Sequence, residues 1–393
     1  MTKFLTHSLL RVTALTLILS SCLSENILSD PPLDETGGGN KSILLRITQQ
    51  APTTRGVSRP IPNGELLEFH SGNLYLVNSI GIVVRHFIVT PAGGTASTFE
   101  TGGRIINISD FDFDPVTNTY VLPLHVNVPN NVTYVYMVGN TPGTGNDDDK
   151  GSRINTIVGQ GMGMNILSQH DAWNVNLFGK TRDRLVHTPG QYNIINGIQH
   201  RIYRGELYLA PTVARFEIGE IRGAGDIAQF TVAGIYMDNF VARAHINGEL
   251  IINSLWSGNT NANAFALNGS VHFMNSPTSQ WALFDEPGLS NTLPSLSVRP
   301  SSVNNHVWSY QVFAPSERTT TTLTSTQQPR IILRLSGVRL IGAAEAMTGY
   351  RFVTVRSFFD GGAAFSGIQA GEVYHIPVVM FDETDLRDAP NMP

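Results

Sequence analysis

Apolar residues fall on alternate positions in short runs along this chain, and the runs are separated by clusters of Gly, Pro, Asn and Ser. Runs of this kind, rich in Val, Ile, Thr, Tyr and Phe, predict β-strands. They cover residues 42–48, 74–79, 81–89, 120–128, 132–138, 214–221, 230–237, 308–313, 330–338, 351–359 and 372–381. The fold class expected from them is all-β, of the sandwich kind, with few short helices. Residues 153–158 fit a helical turn, but the β-branched Ile154, Ile157 and Val158 fit a strand as well. Val338-Arg339-Leu340 continues the strand before it, as far as Gly342-Ala343-Ala344. Thr188-Pro189-Gly190-Gln191 reads as a break, which places a domain boundary near residue 195. On this reading an N-terminal sandwich covers 56–194 and a C-terminal one covers 195–393.

The run at residues 41–50 has a particular pattern. Ile43, Leu45 and Ile47 alternate with Ser42, Leu44, Arg46 and Thr48, so that one face of the strand is wholly apolar and belongs on a core. Behind it, residues 51–60 read as a loop containing prolines, a glycine, Arg55 and Arg59. An exposed loop of this composition is a natural site for proteolytic cleavage.

The N-terminus adds an address. Lys3 and Arg11 precede an apolar stretch over 12–19, too short to span a bilayer as a mature helix, and so an export signal over 1–21. It ends in Leu19-Ser20-Ser21-Cys22, which resembles the lipobox of bacterial lipoproteins and makes Cys22 the acylated residue. Cys22 is the single cysteine, so no disulfide forms within the chain. Residues 24–40 are polar and rich in Pro and Gly, a flexible tether. After the signal the nearest approach to a membrane span, 80–89, is interrupted by Arg85 and His86. A net charge of −5 with 15% charged residues gives nucleic acid nothing to bind.

Several stretches imitate catalytic or metal motifs without completing them. Asp110-Phe111-Asp112-Phe113-Asp114 opens like a calcium loop, but Pro115 stands where the turn glycine belongs and Val121 where the bidentate Glu belongs. Strand alternation accounts for it, with the aspartates facing water and both phenylalanines the core. Gly159-Gln160-Gly161-Met162-Gly163 lacks dinucleotide spacing and reads as a loop. Asp147-Asp148-Asp149-Lys150 reads as a solvated turn. No His spacing for zinc and no nucleophile elbow is present, so no enzyme, metal or cofactor is expected.

The stretches taken in order resemble the fimbrillins of type V pili, surface fimbriae of Bacteroidia. After lipobox and tether come Ser42-Ile43-Leu44-Leu45-Arg46-Ile47 and the arginine loop. Val213-Ala214-Arg215-Phe216-Glu217-Ile218 and Phe230-Thr231-Val232-Ala233-Gly234-Ile235-Tyr236 look like the pair that opens the family's second domain. Trp308-Ser309-Tyr310-Gln311-Val312-Phe313, Pro329-Arg330-Ile331-Ile332-Leu333-Arg334-Leu335 and Gly371-Glu372-Val373-Tyr374-His375-Ile376 look like its closing strands. The resemblance implies two transthyretin-like β-sandwich domains. It also implies an outer-membrane lipidated precursor that becomes part of a surface fimbrium once an arginine-specific protease removes the segment over 22–55. Arg55-Gly56 matches the cleavage position best, since Arg46 lies inside the strand and Arg59 precedes Pro60. Loss of Ile43, Leu45 and Ile47 would then open a groove for a strand donated by another fimbrial subunit.

Residues 385–393 do not resemble the donor strands of stalk fimbrillins, and the resemblance therefore implies a tip or accessory subunit that accepts a strand and that could contact a host or bacterial surface receptor. A stalk subunit is the near alternative. A cell-surface glycan-binding lipoprotein is the other, with Trp173, Trp256, Trp281 or Trp308 as stacking platforms, although core positions suit these indoles better.

Overall fold

The computed structural model describes residues 41–49, 53–55, 69–96, 98, 103–117, 119–140, 149–160, 163–169, 175–195, 197–256, 308–315, 329–355, 359–360, 363–364 and 367–388. In chain order the strands are β1 (Lys41–Gln49), β2 (Thr53–Arg55), β3 (Gly72–Asn78), β4 (Val83–Thr90), β5 (Ile105–Asn107), β6 (Asp112–Asp114), β7 (Thr119–Val128) and β8 (Val132–Gly139). They continue as β9 (Met164–Asn165), β10 (Leu177–Thr181), β11 (Val186–Ile195), β12 (Ile198–Pro211), β13 (Val213–Gly223), β14 (Ile227–Asp238), β15 (Phe240–Val241), β16 (Arg243–Ala244) and β17 (Leu255–Trp256). The last are β18 (Trp308–Phe313), β19 (Arg330–Leu340), β20 (Arg351–Val355), β21 (Phe359–Asp360), β22 (Ala363–Ala364) and β23 (Glu372–Phe381). Among the described residues one short α-helix, α1 (Ile154–Gly159), interrupts them, with a few single 3-10 turns. The chain is mainly β, as the alternation predicts.

The first sheet has the order β5-β4-β3-β8-β10-β12-β1-β7-β6, and β11 pairs with β12. A second sheet runs β18-β13-β23-β2 and a third β14-β19-β20. One continuous cluster of buried side chains takes in Leu45 and Leu122 of the first sheet, Phe216 and Phe381 of the second, and Ile331 and Leu333 of the third. The first sheet is also buried on part of its other face. Tyr75, Val77, Val83, Tyr136, Val138 and Phe178 pack there against Ile154 and Val158 of α1. Burial on both faces explains why β3 reads as an unbroken apolar run rather than an alternation. It also decides residues 153–158 in favour of helix, because Ile154 and Val158, four apart, share the face that covers this cluster.

Three expectations change. Thr188-Pro189-Gly190-Gln191 is no break: it lies inside β11, where the register against β12 shifts between His187 and Tyr192 and Gly190 takes φ +72°. Residue 195 falls at the turn of the β11–β12 hairpin, whose two strands belong to the first sheet. The change of sheet comes at Thr212, the single residue between β12 and β13. Buried Asn176 clamps this crossing: its Nδ2 donates to Thr212 Oγ1 at 3.3 Å and to the Ile246 carbonyl at 2.9 Å. Its backbone carbonyl accepts from the Thr212 N–H at 3.1 Å.

Phe113 does not enter the core. β6 is a three-residue strand at the end of the sheet, exposed throughout. Phe111 is buried, whereas Phe113 lies over Tyr120, its cross-strand partner, with ring centroids 4.5 Å apart. The aspartates serve turns: Asp110 completes a capping box with Asn107, and Asp114 accepts from the Val116 N–H and the Thr117 hydroxyl. Residues 51–60, read above as a loop, contribute the short strand β2 at the edge of the second sheet.

Candidate strand-exchange site

β1 is the segment on which the expected activity turns. It lies between β12 and β7, parallel to the first and antiparallel to the second. A strand in that position uses the hydrogen-bonding groups along both of its edges. In register, Ile43 meets Tyr203 and Leu124, Leu45 meets Gly205 and Leu122, and Ile47 meets Leu207 and Tyr120. Ile43, Leu45 and Ile47 are at most 1% exposed, and Leu122 and Leu207 beside them are equally buried. Each such side chain contributes roughly 1.5–3 kcal/mol by leaving water. On the other face Arg46 is exposed and Leu44 and Thr48 half-buried, so the alternation seen in the sequence is the alternation of the packed strand.

Gly205, opposite Leu45, makes room for Leu185 beside it. A Cβ at Gly205 would lie 2.6 Å from Leu185 Cδ2, 3.2 Å from Thr181 Cγ2 and 3.4 Å from Leu45 Cδ1. Nothing in the sequence around Gly205 singled it out, because its role depends on side chains well away from it along the chain.

At the start of β1 the filling is polar. Lys41 is 3% exposed, and its Nζ donates to the Val132 carbonyl at 2.5 Å and lies 4.0 Å from the centre of the Tyr203 ring. Burial pulls its pKa down to about 8. Ser42 is as buried, and its hydroxyl finds no hydrogen-bond partner among the described residues. A lysine at a strand end ordinarily reads as solvated, so sequence gave no sign of this burial.

β2 follows three residues after β1 and pairs parallel with β23, Thr53 opposite Glu372 and Arg55 opposite Tyr374. The segment that ends at Arg55 thus adds an inner strand to the first sheet and an edge strand to the second. Gly56 and Cys22 lie outside the described residues. So do Trp173 and Trp281, and the side chains of Trp256 and Trp308.

A second polar group stands apart from β1. His86, 3% exposed, stacks on Tyr75 at 4.5 Å, contacts Asn73 Oδ1 through Nε2 at 2.9 Å, and receives Arg104 Nη2 at Nδ1 at 3.1 Å. Asp149 reaches His86 Nδ1 at 3.7 Å, so this residue does more than decorate a solvated turn. Burial first, and Asp149 second, push the Tyr75 phenol well above its ordinary pKa. Among the described residues no three His, Cys, Asp or Glu side chains come together as a metal site, and no helix is long and apolar enough to cross a membrane.

No family model matches the chain, and no curated protein matches it in sequence. Similar solved structures include a putative cell adhesion protein from Parabacteroides distasonis, with 12% identity, 90% of this chain and 92% of that chain covered, and a TM-score of 0.48. The tip fimbrial protein Mfa3 from Porphyromonas gingivalis, with a C-terminal truncation, has 11% identity, coverages of 85% and 94%, and a TM-score of 0.39. A fimbrilin from Porphyromonas gingivalis has 10% identity, covers 82% of each chain, and gives a TM-score of 0.41. These three are, by their descriptions, one cell-adhesion protein and two fimbrial proteins.

Proposed function

We propose that this chain is a structural, non-enzymatic subunit of a bacterial surface fimbrium, activated when cleavage between Arg55 and Gly56 frees β1 and β2. The observation that carries this reading is the place of β1. A strand near the chain's start fills the middle of a sheet between β12 and β7, and a short link joins it to an arginine. Its departure would leave two rows of unpaired backbone groups and the pockets of Ile43, Leu45 and Ile47 open to water. A strand from a neighbouring subunit would restore both, and this is the driving force for assembly.

In this proposal Cys22 carries the lipid that holds the precursor at the outer membrane, and an arginine-specific protease releases it into the fibre. Arg55→Ala should leave an uncleaved precursor that folds but stays out of fimbriae, and Cys22→Ala should abolish palmitate labelling. An Arg55→Ala protein that assembles as the native one does would contradict the proposal. Immunogold labelling separates the places in the fibre: gold at fibre ends assigns a tip or accessory subunit, and gold along the shaft a stalk subunit.

A further inference from the structure

The head of the β1 groove is unlike the rest of it. From Ile43 to Ile47 the inward side chains are aliphatic and fully buried, yet the two residues before them bury an ammonium and a hydroxyl. The Lys41 ammonium has three N–H donors, and one carbonyl and one aromatic face to meet them. In register it is flanked by Val128 on β7 and by Arg201 on β12, so the nearest ladder neighbour on one side is a like charge. Tyr203 of β12 brings a phenol ring to it, and Val132, at the start of β8, brings only a carbonyl. The Ser42 hydroxyl, also buried, has no partner among the described residues. Among the described residues the cation has no counter-charge and the hydroxyl no hydrogen bond; each such group weakens the state that contains it, and neutral apolar replacements of similar size relieve that cost. β1 is therefore held firmly at its centre and weakly at its start.

We propose that the space between Val132 and Tyr203 is a specificity pocket for an uncharged, apolar side chain of the incoming donor strand, and that Lys41 keeps it poorly filled until exchange, while the buried Ser42 hydroxyl weakens the same strand end from its other face. The proposal rests on the strand-acceptor reading above. It defines the partner's chemistry: an extended segment with an apolar residue in the place of Lys41, followed by apolar residues in the places of Ile43, Leu45 and Ile47. It also gives exchange a direction, because the resident strand yields first at the Lys41 end. At neutral pH an ammonium with a pKa near 8 is still mostly protonated, so the penalty is present under ordinary conditions.

The test uses the full chain nicked after Arg55, with the resident segment still seated, and two synthetic peptides as probes. One has the sequence of residues 41–49, and the other is the same peptide with Lys41→Met. The Lys41→Met peptide should displace the resident segment at least about tenfold faster at neutral pH, the ratio that one pK unit represents. A nicked Lys41→Met protein should resist displacement by the native peptide by a similar factor, and its intact form should unfold at a higher temperature than the native chain. Equal displacement by the two peptides would overturn the pocket while leaving the acceptor reading in place. Uptake of neither peptide would overturn the acceptor reading, and the pocket with it.

Discussion

Leu45 stands opposite Gly205, where a Cβ would come within 2.6 Å of Leu185 Cδ2 and would meet Leu45 Cδ1 at an ordinary contact distance of 3.4 Å. The pair ties a residue of the detachable strand to one that stays in the sheet, and it sets how tightly any occupant of the groove can sit. Gly205→Val should therefore crowd Leu185 first and, through the γ-methyl groups, Leu45, destabilising the intact protein by about 1–3 kcal/mol through overpacking. The nicked variant should also lose its resident segment faster than the native one. Thermal unfolding and peptide release measure the two effects.

Leu45→Ala tests the same contact from the strand side. It removes a fully buried side chain and should lower stability by about 2–5 kcal/mol, depending on how far the cavity closes. Arg46→Ala, one residue along on the exposed face, should change it by no more than about 0.5 kcal/mol. Equal losses in urea unfolding would mean that β1 is not seated as described.

Asn176→Ala removes the clamp at the crossing between β12 and β13. It leaves the Ile246 carbonyl and the Thr212 hydroxyl without their donor, at a cost of about 1–3 kcal/mol. The loss should appear as a lower unfolding midpoint and as faster amide exchange at Thr212, whose N–H the Asn176 carbonyl accepts.

Stability should rise with pH because of Lys41. In the folded chain its pKa is pulled from 10.5 to about 8, so below about 8 the fold carries the full penalty of the buried ammonium. Between about 8 and 10.5 the folded form loses the proton that the unfolded form keeps, and the penalty is progressively relieved, by roughly 1.4 kcal/mol for each pK unit. Tyr75 acts in the opposite sense, since its raised pKa removes stability once unfolded tyrosine ionises above pH 10. The difference between native and Lys41→Met proteins isolates the lysine, and it should shrink from pH 8 to pH 10.

Where periodicity and burial coincide, the sequence was enough. Ile43, Leu45 and Ile47 announce a strand with one buried face because Arg46 between them is exposed and Leu44 and Thr48 are half-buried, and the runs of β13, β19 and β23 are equally plain, whereas β12 is missing from the predicted runs. What escaped detection depends on partners remote in sequence. β2 looks like a loop because its ladder among the described residues is with β23, far along the chain. Thr188-Pro189-Gly190-Gln191 has the composition of a boundary, yet β12 carries the sheet past it and absorbs it as an irregularity. Phe113 follows the alternation but sits on a terminal strand with no layer to cover it. Burial of Lys41 and the gap at Gly205 are properties of the assembled groove, and no local pattern reports them.

The most direct measurement is mass spectrometry of the N-terminus of this protein in fimbriae sheared from cells. The account predicts a chain that starts at Gly56 and lacks residues 41–55, with Arg55→Ala protein absent from the fibres. Sheared fimbriae in which the protein still carries Lys41–Gln49 would contradict it, because the groove would then be filled by its own strand.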